Sequence, residues 1–230
     1  MTFSLLARDP KTGALGGVAA TGNLCVGGWV LAGVAGIGVA AAQGQAPSTL
    51  WRERVLERMK SSVGAADAVA FVVSNDAGRE HRQLTAFDAD GNAGAFTGDS
   101  NGDYKGHLIG RDCIASGNLL MGATVLDQMV QVFDRLDLSF EDRLLAALVA
   151  GQAAGGDERG VLSAALLVVS DNTAPLTLRI DHHEAPIDAL RELLNKTREP
   201  TYQEWLNIVP TKAEPHKFSA RGPASKIEAV

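Results

Sequence analysis

Three times along the chain, a short apolar or alternating run meets a polar turn and then a second such run. Residues 3–7 lead through Arg8-Asp9-Pro10-Lys11-Thr12-Gly13 into 14–20. Residues 82–87 lead through Asp88-Ala89-Asp90-Gly91-Asn92 into 93–96, and residues 164–169 through Ser170-Asp171-Asn172-Thr173 into 176–180. Asp and Asn bond their own backbone in such turns, and Gly supplies positive φ, so each unit predicts a β-hairpin. Trp29-Val30-Leu31-Ala32 and Gly36-Ile37-Gly38-Val39-Ala40 are apolar on both alternating faces, the pattern of strands covered on both sides.

Helical spacing appears elsewhere. Trp51, Val55 and Met59 recur at i, i+4 and i+8 in residues 49–60, opened by Pro47-Ser48. A shorter helix is predicted over 65–73, and another over 123–136 with Leu126, Met129, Val130 and Phe133 on one face. Ser139 reads as an N-cap, with Glu141 and Asp142 in the first turn of a helix that ends at Gly155-Gly156. A last helix spans 187–196 behind Pro186. Helix pairs outside stacked antiparallel sheets predict an α+β fold, a four-layer α–β–β–α sandwich. One domain covers residues 1–199. Residues 200–230, broken by Pro200, Pro210, Pro215 and Pro223, read as a C-terminal tail that Trp205 and Ile208 dock on the body or on a partner subunit.

Composition narrows the function. A chain of 230 residues suffices for one core and is short for two. A net charge of −6 without a basic run argues against nucleic acid, which is held by clustered Lys and Arg. No charge occurs between Lys11 and Arg52, a stretch long enough to span a bilayer, but its glycines divide it into short pieces. The reading is buried strands, with no membrane segment and no secretory signal. Cys25 and Cys113, outside any CxxC or metal spacing, read as reduced thiols of a cytoplasmic protein.

Four strings in order carry a resemblance. They are Thr2-Phe3-Ser4-Leu5-Leu6-Ala7-Arg8-Asp9-Pro10, then Arg79-Glu80-His81-Arg82-Gln83-Leu84, then Ser116-Gly117-Asn118-Leu119-Leu120, and then residues 151–160 leading into Ser163-Ala164-Ala165-Leu166. Over residues 2–195 the chain resembles a bacterial family of unknown function assigned to the Ntn-hydrolase (N-terminal nucleophile) superfamily. Leu162 stands where that family is expected to carry Gln. The resemblance implies the same sandwich. It also implies that the residue opening the first strand attacks an amide carbonyl while its own α-amino group accepts the hydroxyl proton.

That residue is Thr2. A Thr hydroxyl needs a base, and a free α-amine, with a pKa of about 8, provides one if Met1 is removed. Strand alternation puts Ser4 on the face of Thr2, whereas Arg8, some 20 Å along the strand, reads as a turn cation paired with Asp9. Asn118 is a candidate oxyanion donor or, alternatively, a cap. Asp157 and Arg159 are candidates for holding a charged substrate group or orienting the amine, or form a surface ion pair. Gln43, Arg82 and Gln83, at strand ends, are candidates for lining the same cleft. His182-His183 point to opposite faces of a strand and predict no metal site. Cys25, between Leu24 and Val26, reads as an inert thiol. The expectation is hydrolysis of a small amide or acylated compound without a cofactor. The alternative is a non-catalytic small-molecule-binding or scaffold protein on the same fold. Trp205, with no obvious place in a compact body, adds an expectation of homo-oligomers.

Overall fold

The structure, a computed structural model, describes residues 2–135, 137–157 and 159–218; Met1, Leu136, Glu158 and the end of the predicted tail lie outside the described residues. The predicted hairpins form as β1 (Thr2–Arg8) with β2 (Leu15–Thr21), β5 (Gln83–Asp88) with β6 (Ala93–Thr97), and β9 (Ser163–Val169) with β10 (Leu176–Ile180). Their turns follow the predicted chemistry. The Asp9 carboxylate accepts from Lys11 N at 3.3 Å and Thr12 Oγ1 at 2.6 Å, so the turn occupies it, and the expected pairing of Arg8 with Asp9 is corrected. Asp88 accepts from Asp90 N and Asn92 N across its turn, and also from Ala65 N. That last bond serves the N-terminus of α3 (Ala65–Ser74), where Gly64 has no side chain with which to cap it.

Four more strands complete two sheets: β3 (Leu31–Val34), β4 (Gly38–Gln43), β7 (Gly106–Ile109) and β8 (Cys113–Asn118). One sheet has the order β10-β9-β2-β1-β8-β7, and the other β3-β4-β5-β6. Every pairing among the described strands is antiparallel. The strand expected over 29–32 is corrected. Cys25 takes a left-handed φ of 60° and the chain makes a short helix, α1 (Val26–Trp29), before β3 begins. An apolar run this short carries no period that separates strand from helix.

Three apolar clusters hold the elements. α4 (Thr124–Arg135), α5 (Phe140–Ala153) and α6 (Pro186–Lys196) cover the outer face of the six-stranded sheet, where Phe3, Leu5 and Ala7 meet Met129, Phe133 and Leu148. α2 (Thr49–Lys60) and α3 cover the outer face of the four-stranded sheet, with Trp51 and Val55 against Leu84 and Ala86. Between the sheets lie Leu6, Leu15, Val39, Phe87 and Ile114. Each sheet thus has helices on one face and the other sheet on its second face. β1 is central in its sheet and apolar throughout its helix side, as a doubly covered strand must be. Ser139 accepts from Asp142 N and caps α5 as predicted. No helix among the described residues is long and apolar enough to cross a membrane.

Beyond Glu199 the chain is more ordered than its prolines suggested. Pro200 stands at the first turn of α7 (Pro200–Leu206), where its missing N–H costs nothing. The Tyr202 and Trp205 rings pack at a tilt of 43°, with centroids 5.6 Å apart. Further on, Lys212 Nζ reaches Asp171 at 3.0 Å and Ala35 O at 3.1 Å, while Ala213 N donates to Asp171 O, so this segment ties together the β3–β4 and β9–β10 turns.

Candidate functional site

The space between the sheets changes character along its length. At one end it holds the apolar cluster around Leu6, and at the other the inward side chains of β1, β4, β5 and β8 are polar. Alternation along β1 sends Leu6, Ser4 and Thr2 inward in turn. β4 sends Val39, Ala41 and Gln43, and β5 sends Phe87, Thr85 and Gln83. Ser4, Ser116 and Asn118 are wholly buried, as is Gln83, and Gln43 is only 1% exposed. Polar groups so buried must pair with one another.

Gln83 organises the pairing. Its Nε2 donates toward Gly106 O at 2.8 Å, Gly117 O at 3.0 Å and Thr97 Oγ1 at 2.9 Å. Two of these partners are carbonyls, which only accept, so the amide orientation is fixed. Gln83 Oε1 then faces Gln43 Nε2 at 2.7 Å and Asn118 Nδ2 at 3.3 Å. Gln43 Oε1 in turn accepts from Ser4 Oγ at 2.8 Å, and Ser4 lies 3.0 Å from Ser116 Oγ. Gln43 Nε2 also reaches Thr2 O at 3.4 Å. Asn118 Oδ1 is left as a buried acceptor with no partner.

Thr2 stands where this network opens. It pairs with Thr21 on β2 and with Asn118 on β8, and its Oγ1 donates to Thr21 Oγ1 at 3.2 Å. Thr2, Thr21 and Gln43 line a cavity of about 580 Å³. That is within the usual range for small-molecule sites. Leu24, Trp29, Val30 and Leu119 give it an apolar wall, and Arg159 brings a charge. Cys25 and Leu119, both on this wall, are non-glycine residues at positive φ, 60° and 54°. Strain of this kind concentrates at binding sites.

Asp157 anchors the charged side. Its carboxylate is fully buried and accepts from Gly22 N at 2.6 Å and Arg159 N at 2.8 Å. The Arg159 guanidinium adds bonds through Nε and Nη2, each at 3.2 Å. Glycine is required at position 22, because a Cβ there would meet Gly160 O at 2.6 Å and the Asp157 carboxylate at 2.7 Å.

The family model of a family of unknown function, DUF1028, matches residues 2–190. The chain belongs to this family. Among solved structures, the crystal structure of protein SPO2555 from Silicibacter pomeroyi, also a DUF1028 protein, is 48% identical and covers 98% of each chain with a TM-score of 0.93. A second structure, Anbu (ancestral β-subunit) from Yersinia bercovieri, is 11% identical over 88% of this chain and 97% of its own, with a TM-score of 0.35. No curated protein matches.

The DUF1028 match contains every candidate site residue named from the sequence, and the fold sorts them. Thr2, Gln43 and Arg159 line the cavity; Ser4, Gln83 and Asn118 form the buried network beneath it, with Asp157 behind Arg159. Arg82 is placed elsewhere. Its guanidinium bonds Asp76 and Ala46 O and lies 5.7 Å from the Trp51 ring, on the helix side of β5. The parity of a strand requires this, since Arg82 and Gln83 point to opposite faces. Asn118 donates to Gln83 and is wholly buried, so its amide belongs to the network rather than to the cavity lining.

Thr21, Ser116 and the apolar wall were not anticipated. The sequence-predicted turn of Arg8–Gly13 would set Thr2 opposite Ala19; the turn that forms, closed by Asp9 N donating to Ala14 O, sets it opposite Thr21. Ser116 was not open to inference, since its approach to Ser4 depends on two strands 112 residues apart. Cys113 is no nucleophile, because burial pushes its thiol up to about 12.

Proposed function

We propose that this protein is a cytoplasmic amide hydrolase of the N-terminal-nucleophile type, built on an α–β–β–α sandwich, with Thr2 as nucleophile after removal of Met1. The observation that carries this reading is the position of Thr2: the first residue of a central strand, at the base of a cavity of about 580 Å³, directly over a buried amide network. Sheets covered outside by helices support the architecture.

In the reaction, Thr2 Oγ1 attacks the amide carbonyl carbon as its proton passes to the freed α-amine. The C–N bond then breaks, and the ammonium returns that proton to the leaving nitrogen, which departs as an amine. The acyl group is left as an ester on Thr2. Water, deprotonated by the same amine, hydrolyses the ester and restores the threonine. Thr21, bonded to Thr2 Oγ1, holds the hydroxyl in place. Asn118, opposite Thr2 in the sheet, supplies in Oδ1 an unpaired acceptor for the new ammonium group. A buried acceptor without a partner is costly, and the ammonium would satisfy it.

The test joins intact-mass measurement of the mature N-terminus with turnover of a panel of small amides. Native protein is expected to begin at Thr2, and Thr2→Ala to lose about a thousandfold or more in rate. Retained Met1, or equal turnover by Thr2→Ala, would overturn the reading in favour of a non-catalytic binding protein.

A further inference from the structure

We infer that the cavity selects amides that carry a carboxylate on one side and an apolar group on the other, with Arg159 as the carboxylate anchor. For the position of the scissile bond, this rests on the hydrolase reading. For the recognition chemistry, it rests on the walls of the cavity.

Arg159 is the one charged side chain among the described residues that line the cavity, in a protein whose net charge is −6. The Arg159 side chain is 45% exposed and lines the cavity, whereas the Asp157 carboxylate paired with it is fully buried. Asp157 holds the guanidinium through Nε and Nη2, and is itself fixed by Gly22 N and Arg159 N. The arginine is therefore preorganised, and little side-chain freedom remains to be lost when a ligand binds. A planar, permanently charged fork fixed in this way suits a carboxylate.

The opposite requirement comes from the apolar wall. Leu24 and Trp29 are 49% and 52% exposed, and with Val30 and Leu119 they give the cavity a surface that only an apolar ligand group would cover favourably. Thr2 and Thr21 are also in the lining, so a ligand filling the space presents its central amide to Thr2 while its ends meet the two kinds of wall. An N-acyl amino acid has this chemistry.

The test uses the full chain carrying Thr2→Ala, so that ligand is not consumed, and titration calorimetry with N-hexanoylglycine and its uncharged counterpart N-hexanoylglycinamide. The acid is expected to bind about tenfold more tightly than the amide. Adding Arg159→Gln should bring the two within about twofold, and Arg159→Lys should restore part of the preference. Unfolding midpoints of both double variants establish that they fold; the second keeps the test open if the first does not. Equal affinities for acid and amide, a preference that survives Arg159→Gln, or no binding of either compound would overturn the inference. A clear acid preference, together with wild-type protein that does not cleave N-hexanoylglycine or other amides, would uphold the anchor and sink the hydrolase reading alone.

Discussion

Gln83 is the residue on which the site's order depends. Its single amide satisfies two backbone carbonyls and orients both Gln43 and Asn118. Replacing it with Leu keeps the volume but leaves Gly106 O, Gly117 O, Gln43 Nε2 and Asn118 Nδ2 without that partner. Each unsatisfied buried group costs about 1–3 kcal/mol. Gln83→Leu is therefore expected to lose about 3 kcal/mol or more in urea unfolding, far beyond an ordinary surface change. His107, whose Nδ1 lies 3.1 Å from Thr97 Oγ1, continues the chain of polar contacts outward, and burial holds its pKa below the ordinary 6.5.

At the scale of elements, α2 is fastened to the start of β5 by Asp76. Trp51 Nε1 donates to its carboxylate at 2.7 Å, Gly78 N at 2.7 Å, and Arg82 from the strand. Burial works to raise the Asp76 pKa, but these hydrogen bonds and the Arg82 charge outweigh it and hold the group below 3.8. A folded pKa below the unfolded one means stability that is fully present above the unfolded value and lost as pH falls through the folded one. Asp76→Asn is therefore expected to cost about 2 kcal/mol near neutral pH, with the gap to wild type closing once pH drops below about 4. Urea unfolding at several pH values checks this. A gap that is independent of pH would show that packing, not charge, joins the two elements. Close approach matters as much as charge here. A Cβ on Gly94 of β6 would come within 2.4 Å of Ala65 O, so only glycine lets α3 start directly on the strand.

Across the whole molecule, the segment after Glu199 clasps two turns of different sheets through Lys212 and Ala213. Ending the chain at Glu199 is expected to lower stability by about 1–2 kcal/mol, since the ion pair is exposed and contributes little beside the backbone bond and the burial of Thr211. A urea midpoint unchanged from full length would show the clasp to be dispensable. Most elements were legible without tertiary information, because their causes are local. Asp and Gly turns made the three hairpins, 3.6-residue spacing made α2 and α4, and Ser139 capped α5. The outward direction of Arg82 was already contained in the parity of β5, but the pairing of Thr2 with Thr21 depended on a register two residues from the one the predicted turn implied. The site itself was assembled by contacts that no local pattern encodes. Ser4 meets Gln43 and Ser116 across 39 and 112 residues, and Gly22 meets Asp157 across 135. The sequence by itself determined which residues could face inward, because alternation and turn chemistry act within a few residues. Which of them face one another was decided only when the two sheets stacked, because burial then left each polar group only the partners on the opposite sheet or the neighbouring strand.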